Sequence, residues 1–367
     1  MEKNAPIIRG LSESQGRLLF ACNTAEKGEL SFSGVVEESA KDWKKEVEKF
    51  CKANGRFPHS ITVNNTTAKL GTDFDSATKG QNVAFTEKTF TRQDVVKGKI
   101  AVVTGGAQGF GEGLVRGLCE LGAFVWIADM NVKGASALAD TLNKEYGKTV
   151  ARGIEVNVTS EESVEAMCNS ICKTTGGFDI FVSNAGVLRA GSVKEMTVKD
   201  FGFVTSVDYT GFFICTKYAS QVLSLQNLPS KNVLSDIVAI SSKSGLVGSN
   251  KNGAYAGAKF GTIGLVQSFA LELVTDNIKV NAICPGNFLD GPLWSDPDRG
   301  LFVQYLNAGK VPGAKTVADV RAFYEAKVPM NRGCRTQDVM RALAYIIEQA
   351  YETGQAVPVT GGQVMLN

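Results

Sequence analysis

With one histidine in 367 residues, the chain has little material for a histidine-built metal centre. His59 stands alone, whereas a zinc site needs several ligands gathered together. Its eight cysteines are scattered without the paired spacing of a disulfide framework. Cys168 and Cys172, one helical turn apart, are expected to pack against a core rather than to bind metal. No stretch reaches the roughly 18 apolar residues that a membrane span requires, and Met1 to Phe20 mixes charges among its apolar residues where a signal segment would not. The formal charge of +2 lacks the basic excess that phosphate-backbone binding demands. Neither an internal repeat nor a low-complexity tract is present. The expectation is a soluble, cytoplasmic protein with no metal, no nucleic-acid partner and no membrane partner.

What is present is apolar and periodic. A hydrophobic content of 44% can bury one large core and a small companion. From Gly98 onward short apolar runs alternate with helical patterns: Ile100 to Thr104, Ala123 to Ala128, Ala151 to Val156, Ile180 to Ser183, Ile237 to Ser241, Ile278 to Cys284 and Ala356 to Thr360 read as strands. Between them Gly111 to Leu121, Val132 to Tyr146, Ser160 to Thr174, Val198 to Ser224, Tyr255 to Thr275 and Gln337 to Tyr351 read as helices. This alternation predicts an α/β, doubly wound parallel sheet over residues 98–367. Residues 1–97 read as a small α/β appendage joined by a short linker, with a strand at Arg17 to Ala21, a charged helix from Glu37 to Ala53, a strand at Ser60 to Val63 and polar segments ending in Thr91 to Val96. The charged helix is expected to be a solvated face, and the appendage to be catalytically inert and used in assembly.

The first of these strands runs into Thr104-Gly-Gly-Ala-Gln-Gly-Phe-Gly111. Glycines there permit a tight turn and close backbone approach to a pyrophosphate, whose charge is favoured at a helix N-terminus. An ordinary strand-to-helix turn would use the same residues. Placement inside a βαβ unit favours the dinucleotide (Rossmann) reading, with Gly105, Gln108, Gly109, Phe110 and Gly111 at the cofactor. Asp129 ends the second strand, where a carboxylate either caps the next helix or accepts from the adenosine ribose hydroxyls. With the glycine turn beside it, the ribose role is preferred. A 2′-phosphate there would be repelled by several kcal/mol at an effective dielectric of about 20. Neither Gln108 nor Met130 offers a compensating cation, so NAD is expected over NADP; Lys133 is the one basic residue nearby.

Tyr255 and Lys259 are four apart on one helical face. An ammonium about 4 Å from a phenol supplies about 4 kcal/mol at an effective dielectric of about 20, the order of energy needed for a tyrosine to work near neutrality. Such pairs also arise by chance on exposed helices. Four further motifs decide between these readings: Thr104 to Gly111, Ser183-Asn184-Ala185-Gly186, Ser242 thirteen residues before Tyr255, and Pro285-Gly286. In this order and spacing the sequence resembles the short-chain dehydrogenase/reductase family in its compact, one-domain branch, over Gly98 to Asn367.

The resemblance implies an oxidoreductase in which Ser242 hydrogen-bonds the reacting oxygen, Tyr255 exchanges its proton, and Lys259 holds the nicotinamide ribose. It also implies that Asn184, Ala185, Gly186, Pro285 and Gly286 line the cofactor, and that dimers or tetramers form through the helix beginning at Tyr255. Three positions depart from the family pattern. Asp208 stands where a catalytic Asn is usual, keeping an oxygen acceptor but adding charge and losing an amide donor. Asp290 replaces the usual Thr after Pro285-Gly286. Asn157, with Val158 beside it, replaces an acidic residue that meets the adenine, and can still hydrogen-bond it.

Within the family the similarity is nearest to the branch acting on sorbitol 6-phosphate. It is carried by Ser242-Lys-Ser-Gly245, Gly286-Asn-Phe-Leu289, Lys327-Val-Pro-Met-Asn-Arg-Gly-Cys334 and Val359-Thr-Gly-Gly-Gln-Val-Met365. This implies oxidation of sorbitol 6-phosphate to fructose 6-phosphate, or of a similar polyol. Lys243 beside Ser242, and Asn287, are the candidate substrate contacts; Lys251 and Arg189 could join Lys243 on a phosphate but read better as solvated residues. Arg332 reads as structural. The insertion from Phe288 to Ala326 is the natural substrate lid. Two rival readings are an NADP-dependent ketoacyl or steroid reductase of the same superfamily and a sensor that binds NAD without turnover.

Overall fold

Ile100, Ala101, Val102, Val103 and Thr104 are all completely buried. An apolar run of this kind suits the centre of a sheet that is covered on both faces. The computed structural model of the protein, which describes residues 1–85, 91–298, 300–307, 309 and 311–365, puts it there.

The chain opens with α1 (Asn4–Leu11), β1 (Phe20–Thr24), β2 (Leu30–Phe32), α2 (Val36–Asn54), β3 (Ser60–Val63), β4 (Thr66–Gly71) and α3 (Phe74–Lys79). It continues through β5 (Ile100–Thr104), α4 (Gly109–Glu120), β6 (Phe124–Asp129), α5 (Val132–Tyr146), β7 (Ala151–Glu155), α6 (Glu161–Thr175), β8 (Ile180–Ser183), α7 (Val198–Thr205) and α8 (Gly211–Asn227). Then follow β9 (Ser235–Ile240), α9 (Gly253–Leu273), β10 (Ile278–Pro285), α10 (Pro292–Ser295), α11 (Leu301–Asn307), α12 (Val317–Ala326), α13 (Thr336–Glu348) and β11 (Ala356–Val359).

Among the described residues there are two sheets, one with seven strands in the order β11-β10-β9-β8-β5-β6-β7 and one with four in the order β1-β4-β3-β2. Every neighbouring pair in the larger sheet is parallel. Helices α6, α8 and α9 cover one face with Val164, Cys168, Cys172, Phe212, Val222 and Val266. Helices α4, α5 and α13 cover the other with Leu114, Val115, Leu138, Val339 and Leu343. The chain leaves β5 and β8 for opposite sides of the sheet, and a crevice opens beyond their carboxyl ends.

The expected elements of residues 98–367 are present, with ends shifted by a few residues. One is not continuous: the helix expected over Val198 to Ser224 is broken by a π turn at Ser206–Thr210. The wider turn inserts an extra residue and buries Asp208 beneath the crevice. All eight cysteines are unpaired and buried, Cys168 and Cys172 within α6 among them.

The N-terminal region departs more from expectation. Helices α1 and α3 and strands β2 and β4 are additions to the expected elements, β4 and α3 lying where polar segments are expected. The strand expected at Arg17 begins only at Phe20, because Ser14 and Arg17 close a tight turn through Gln15 and Gly16, both at positive φ (51° and 74°). The charged helix is α2; it lays Val36, Ala40, Trp43, Val47 and Cys51 on the core of the small sheet and turns most of its charges outward, but Lys44 is buried against Glu13 (3.4 Å). A short linker does not describe how this region is attached. Arg9 of α1 is fully buried and donates to Asp179 (2.7 and 3.1 Å) and to Gln226 (2.7 Å). Phe20 and Phe74 pack their rings on Phe124 of β6 at 5.6 and 5.4 Å.

The insertion after β10 builds its own small core from Leu289, Trp294, Leu301, Phe302, Val311 and Val320; its residues 299, 308 and 310 lie outside the described residues, as do 366 and 367. Phe288, at its start, stacks on Phe110 of α4 at 4.6 Å and so ties the insertion to the glycine turn.

Candidate active site

The turn between β5 and α4 is built by close backbone packing. Gly105 has φ +61°, and a Cβ there would lie 2.9 Å from Ala185 Cα. A Cβ on Gly111 would lie 2.0 Å from the Gly105 carbonyl oxygen and 2.6 Å from Asn184 Nδ2. Asn184 secures the turn by donating to the carbonyls of Thr104 and Gly105, both at 3.0 Å. Gln108, at the head of α4, makes no side-chain cap. The first N–H groups of the helix are therefore left for whatever enters the crevice, as a pyrophosphate site requires.

Asp129 braces this turn from β6. Its Oδ2 accepts from the Ala107 N–H (3.0 Å) and its Oδ1 from the Asn131 N–H (2.9 Å), with lone pairs to spare on both oxygens. The helix-cap alternative falls to Asn131, whose side chain caps α5 at Gly134 N (3.1 Å). Asn157 turns its Oδ1 onto Thr159 at 3.0 and 2.8 Å, so its amide N–H groups are what it can offer a base.

The chemical end of the crevice gathers three elements. Ser242 follows β9, and its Oγ accepts from the Ser244 N–H at 3.1 Å; the hydroxyl hydrogen is left free to donate elsewhere. Tyr255 and Lys259 lie on the first turns of α9, with Lys259 Nζ 5.5 Å from the tyrosine ring centre. Lys259 is buried and donates to the Ile240 carbonyl at 3.1 Å.

Asp208, brought up by the π turn, accepts from the Val187 N–H through Oδ1 at 2.8 Å and faces Lys259 Nζ through Oδ2 at 3.3 Å. Burial works against the Lys259 charge, but Asp208 and Tyr255 outweigh it and hold its pKa above the ordinary lysine value. The departure from Asn therefore makes a buried ion pair directly with the lysine.

A single cleft of about 1250 Å³ takes in Gly105, Gln108, Gly109, Phe110, Asp129, Asn157, Val158, Asn184, Ala185 and Gly186 at one end. Ser242, Lys243, Tyr255, Lys259, Pro285, Gly286 and Asn287 line the same cleft. Gly111 and Asp208 stand just behind the wall, Gly111 packed under the turn and Asp208 under Lys259. A second cavity of about 390 Å³ lies behind the Gly286-Asn287 turn and holds none of Ser242, Tyr255 and Lys259. There Arg332 binds Asp338 at 2.6 and 3.0 Å, as a structural residue does.

Asp290 is turned away from the cleft onto Arg321 (2.5 Å). Arg189 lies over the Phe203 ring at 5.4 Å, and Lys251 is exposed. Both also line the cleft, as does Lys327, which stands alongside Trp294, Tyr305 and Tyr324 of the insertion and is the cation whose charge reaches Lys243. Lys327 opens the Lys327 to Cys334 stretch that carries the family resemblance, but only the folding of the insertion brings its charge to Lys243.

The short chain dehydrogenase family model matches residues 99–295. Sorbitol-6-phosphate 2-dehydrogenase of Escherichia coli (strain K12) is 36% identical over 270 residues, covering 73% of this chain and 99% of the relative. Trans-4-hydroxycyclohexanecarboxylate dehydrogenase of Sinomonas cyclohexanicum is 29% identical over 280 residues, 75% and 96% of the two chains. Among solved structures, sorbitol-6-phosphate 2-dehydrogenase from Erwinia amylovora superposes with a TM-score of 0.67 at 38% identity, covering 72% of this chain and 100% of its own. No helix among the described residues is long and apolar enough to cross a membrane.

Proposed function

The chain belongs to the short-chain dehydrogenase/reductase family of nicotinamide-dependent oxidoreductases, and from that premise we propose that it oxidises a secondary alcohol of a polyol phosphate with NAD, sorbitol 6-phosphate being the substrate its relatives point to. One observation carries the reading: Ser242, Tyr255 and Lys259 line the same cleft as the glycine turn and Asp129.

Bound along that cleft, a nicotinamide cofactor supplies the hydride acceptor. The remaining work falls to the protein. Ser242 donates its free hydroxyl hydrogen to the carbinol oxygen and orients it. Tyr255 Oη takes the alcohol proton, and Lys259 faces the charge that its ring carries in the exchange. Asp208 holds Lys259 in place and charged from below, while its other oxygen fixes the Val187 backbone. The lid supplies Trp294, Tyr305 and Tyr324 as apolar faces for the carbon chain.

Asp129 supports NAD over NADP, because an incoming 2′-phosphate would meet a carboxylate while the neighbouring Met130 carries no charge. At an effective dielectric of about 20 that repulsion amounts to several kcal/mol, and kcat/KM with NAD should exceed that with NADP by about 10²-fold or more. Asp129→Ala should shrink the ratio at least tenfold. A wild-type preference for NADPH would remove the NAD assignment and favour the ketoacyl-type reductase.

The reading includes a homo-oligomer. Phe260 and Leu271 are exposed apolar residues of α9, the helix through which the family resemblance implies assembly, and Phe213 of the neighbouring α8 is exposed as well. Sedimentation of the intact protein as a monomer at micromolar concentration would remove this part. A reducing, cytoplasmic setting is supported by eight unpaired cysteines.

A further inference from the structure

Lys243 and Lys327 line the same cleft from different elements, Lys243 from the turn after β9 and Lys327 from the end of the lid, near enough for the charge of one to act on the other. Lys327 Nζ rests on the faces of Phe323 (4.1 Å) and Tyr324 (5.0 Å), which fix the ammonium in place without neutralising it. Asp296, the carboxylate on the lid side of the cleft, is turned to the Asp298 N–H (3.0 Å).

We propose that Lys243 and Lys327 form a phosphate subsite, one ammonium closing on each side of a phosphate monoester carried at the end of the substrate away from the reacting carbinol. This rests on the reading of the cleft as a polyol-oxidising site and names the feature by which that site selects its substrate. Burial, and then the charge of Lys327, hold the Lys243 pKa below the ordinary lysine value, a tension that a dianion between the two would reverse. Two cations from different elements also make the phosphate a tie between lid and sheet. An unphosphorylated polyol would leave them unbridged.

The test compares the intact wild type with Lys327→Met and Lys327→Arg. Michaelis constants are measured for sorbitol 6-phosphate and for sorbitol, and melting temperatures in rising inorganic phosphate. Losing one charge-assisted contact should raise KM for the phosphorylated substrate about 10- to 100-fold, with a far smaller change for sorbitol. Lys327→Arg should recover part of the loss, and the phosphate-dependent rise in melting temperature should fade in Lys327→Met. Equal KM changes for the two polyols, or a phosphate response that Lys327→Met leaves untouched, would overturn the subsite. If the wild type oxidises neither polyol but is stabilised by phosphate in a manner that Lys327→Met abolishes, the substrate reading fails and the subsite stands.

Discussion

Replacing Tyr255 by phenylalanine should lower kcat for alcohol oxidation by about 10²- to 10⁴-fold, the range that a positioned acid/base contributes, while cofactor affinity stays within about threefold. The ring and its packing remain, and only the oxygen that takes the proton is gone. Initial rates at the NADH absorbance band and a fluorescence titration of NADH measure the two quantities separately. A variant that keeps most of its rate would exclude the proposed proton transfer. Saturable NADH binding by a wild type that turns over no alcohol would favour the sensor reading. Asp208→Asn is a useful contrast in the same assay. The amide keeps an acceptor for Val187 N–H and restores the residue usual in the family, so its loss should be about tenfold or less.

The second large effect concerns stability. Arg9→Ala removes a buried guanidinium and leaves the Asp179 carboxylate without its partner between the N-terminal region and the large sheet. Breaking a buried pair from one side costs about 3–5 kcal/mol. Asp179 also accepts from the Ile100 N–H at 2.7 Å, so Asp179→Asn added to Arg9→Met should recover part of the loss by keeping that bond and discharging the site. Removing Lys45, whose partner Asp42 is as exposed as itself, should change nothing measurable.

The pH dependence follows from the direction of the Asp179 shift. Burial pushes its carboxyl up, but Arg9, followed by the Lys99 charge and the Ile100 N–H, outweighs burial and holds it below the ordinary aspartate range. Its contribution is therefore present above the unfolded pKa of about 3.9 and is lost as pH falls through the lower folded value. The gap between wild type and Arg9→Ala in chemical denaturation should be widest near neutrality and close in acid. A gap that is constant with pH would mean that Arg9 stabilises by packing alone.

Much of the catalytic domain was legible because its signals are local. The apolar run at Ile100 to Val103, the glycines after Thr104 and the Tyr255/Lys259 spacing each report on a stretch shorter than a dozen residues. The π turn was not legible, since an apolar pattern from Val198 onward fits a continuous helix as well as a bulged one, and only the burial of Asp208 against Lys259 distinguishes them. Helix α1 was missed for a related reason. Arg9 in a short apolar segment looks solvated until Asp179 and Gln226, far away in sequence, arrive to bind it.

The sequence by itself determined the order of the seven parallel strands and of the helices between them, the glycine turn, and the residue types available for proton transfer. These depend on backbone propensity, period and spacing, which act between near neighbours along the chain. Tertiary structure alone decided which charges meet: Asp208 with Lys259 and Arg9 with Asp179. Electrostatic partnership depends on separations of a few ångströms in space, and residues 51 and 170 positions apart acquire such separations only when the whole sheet has folded.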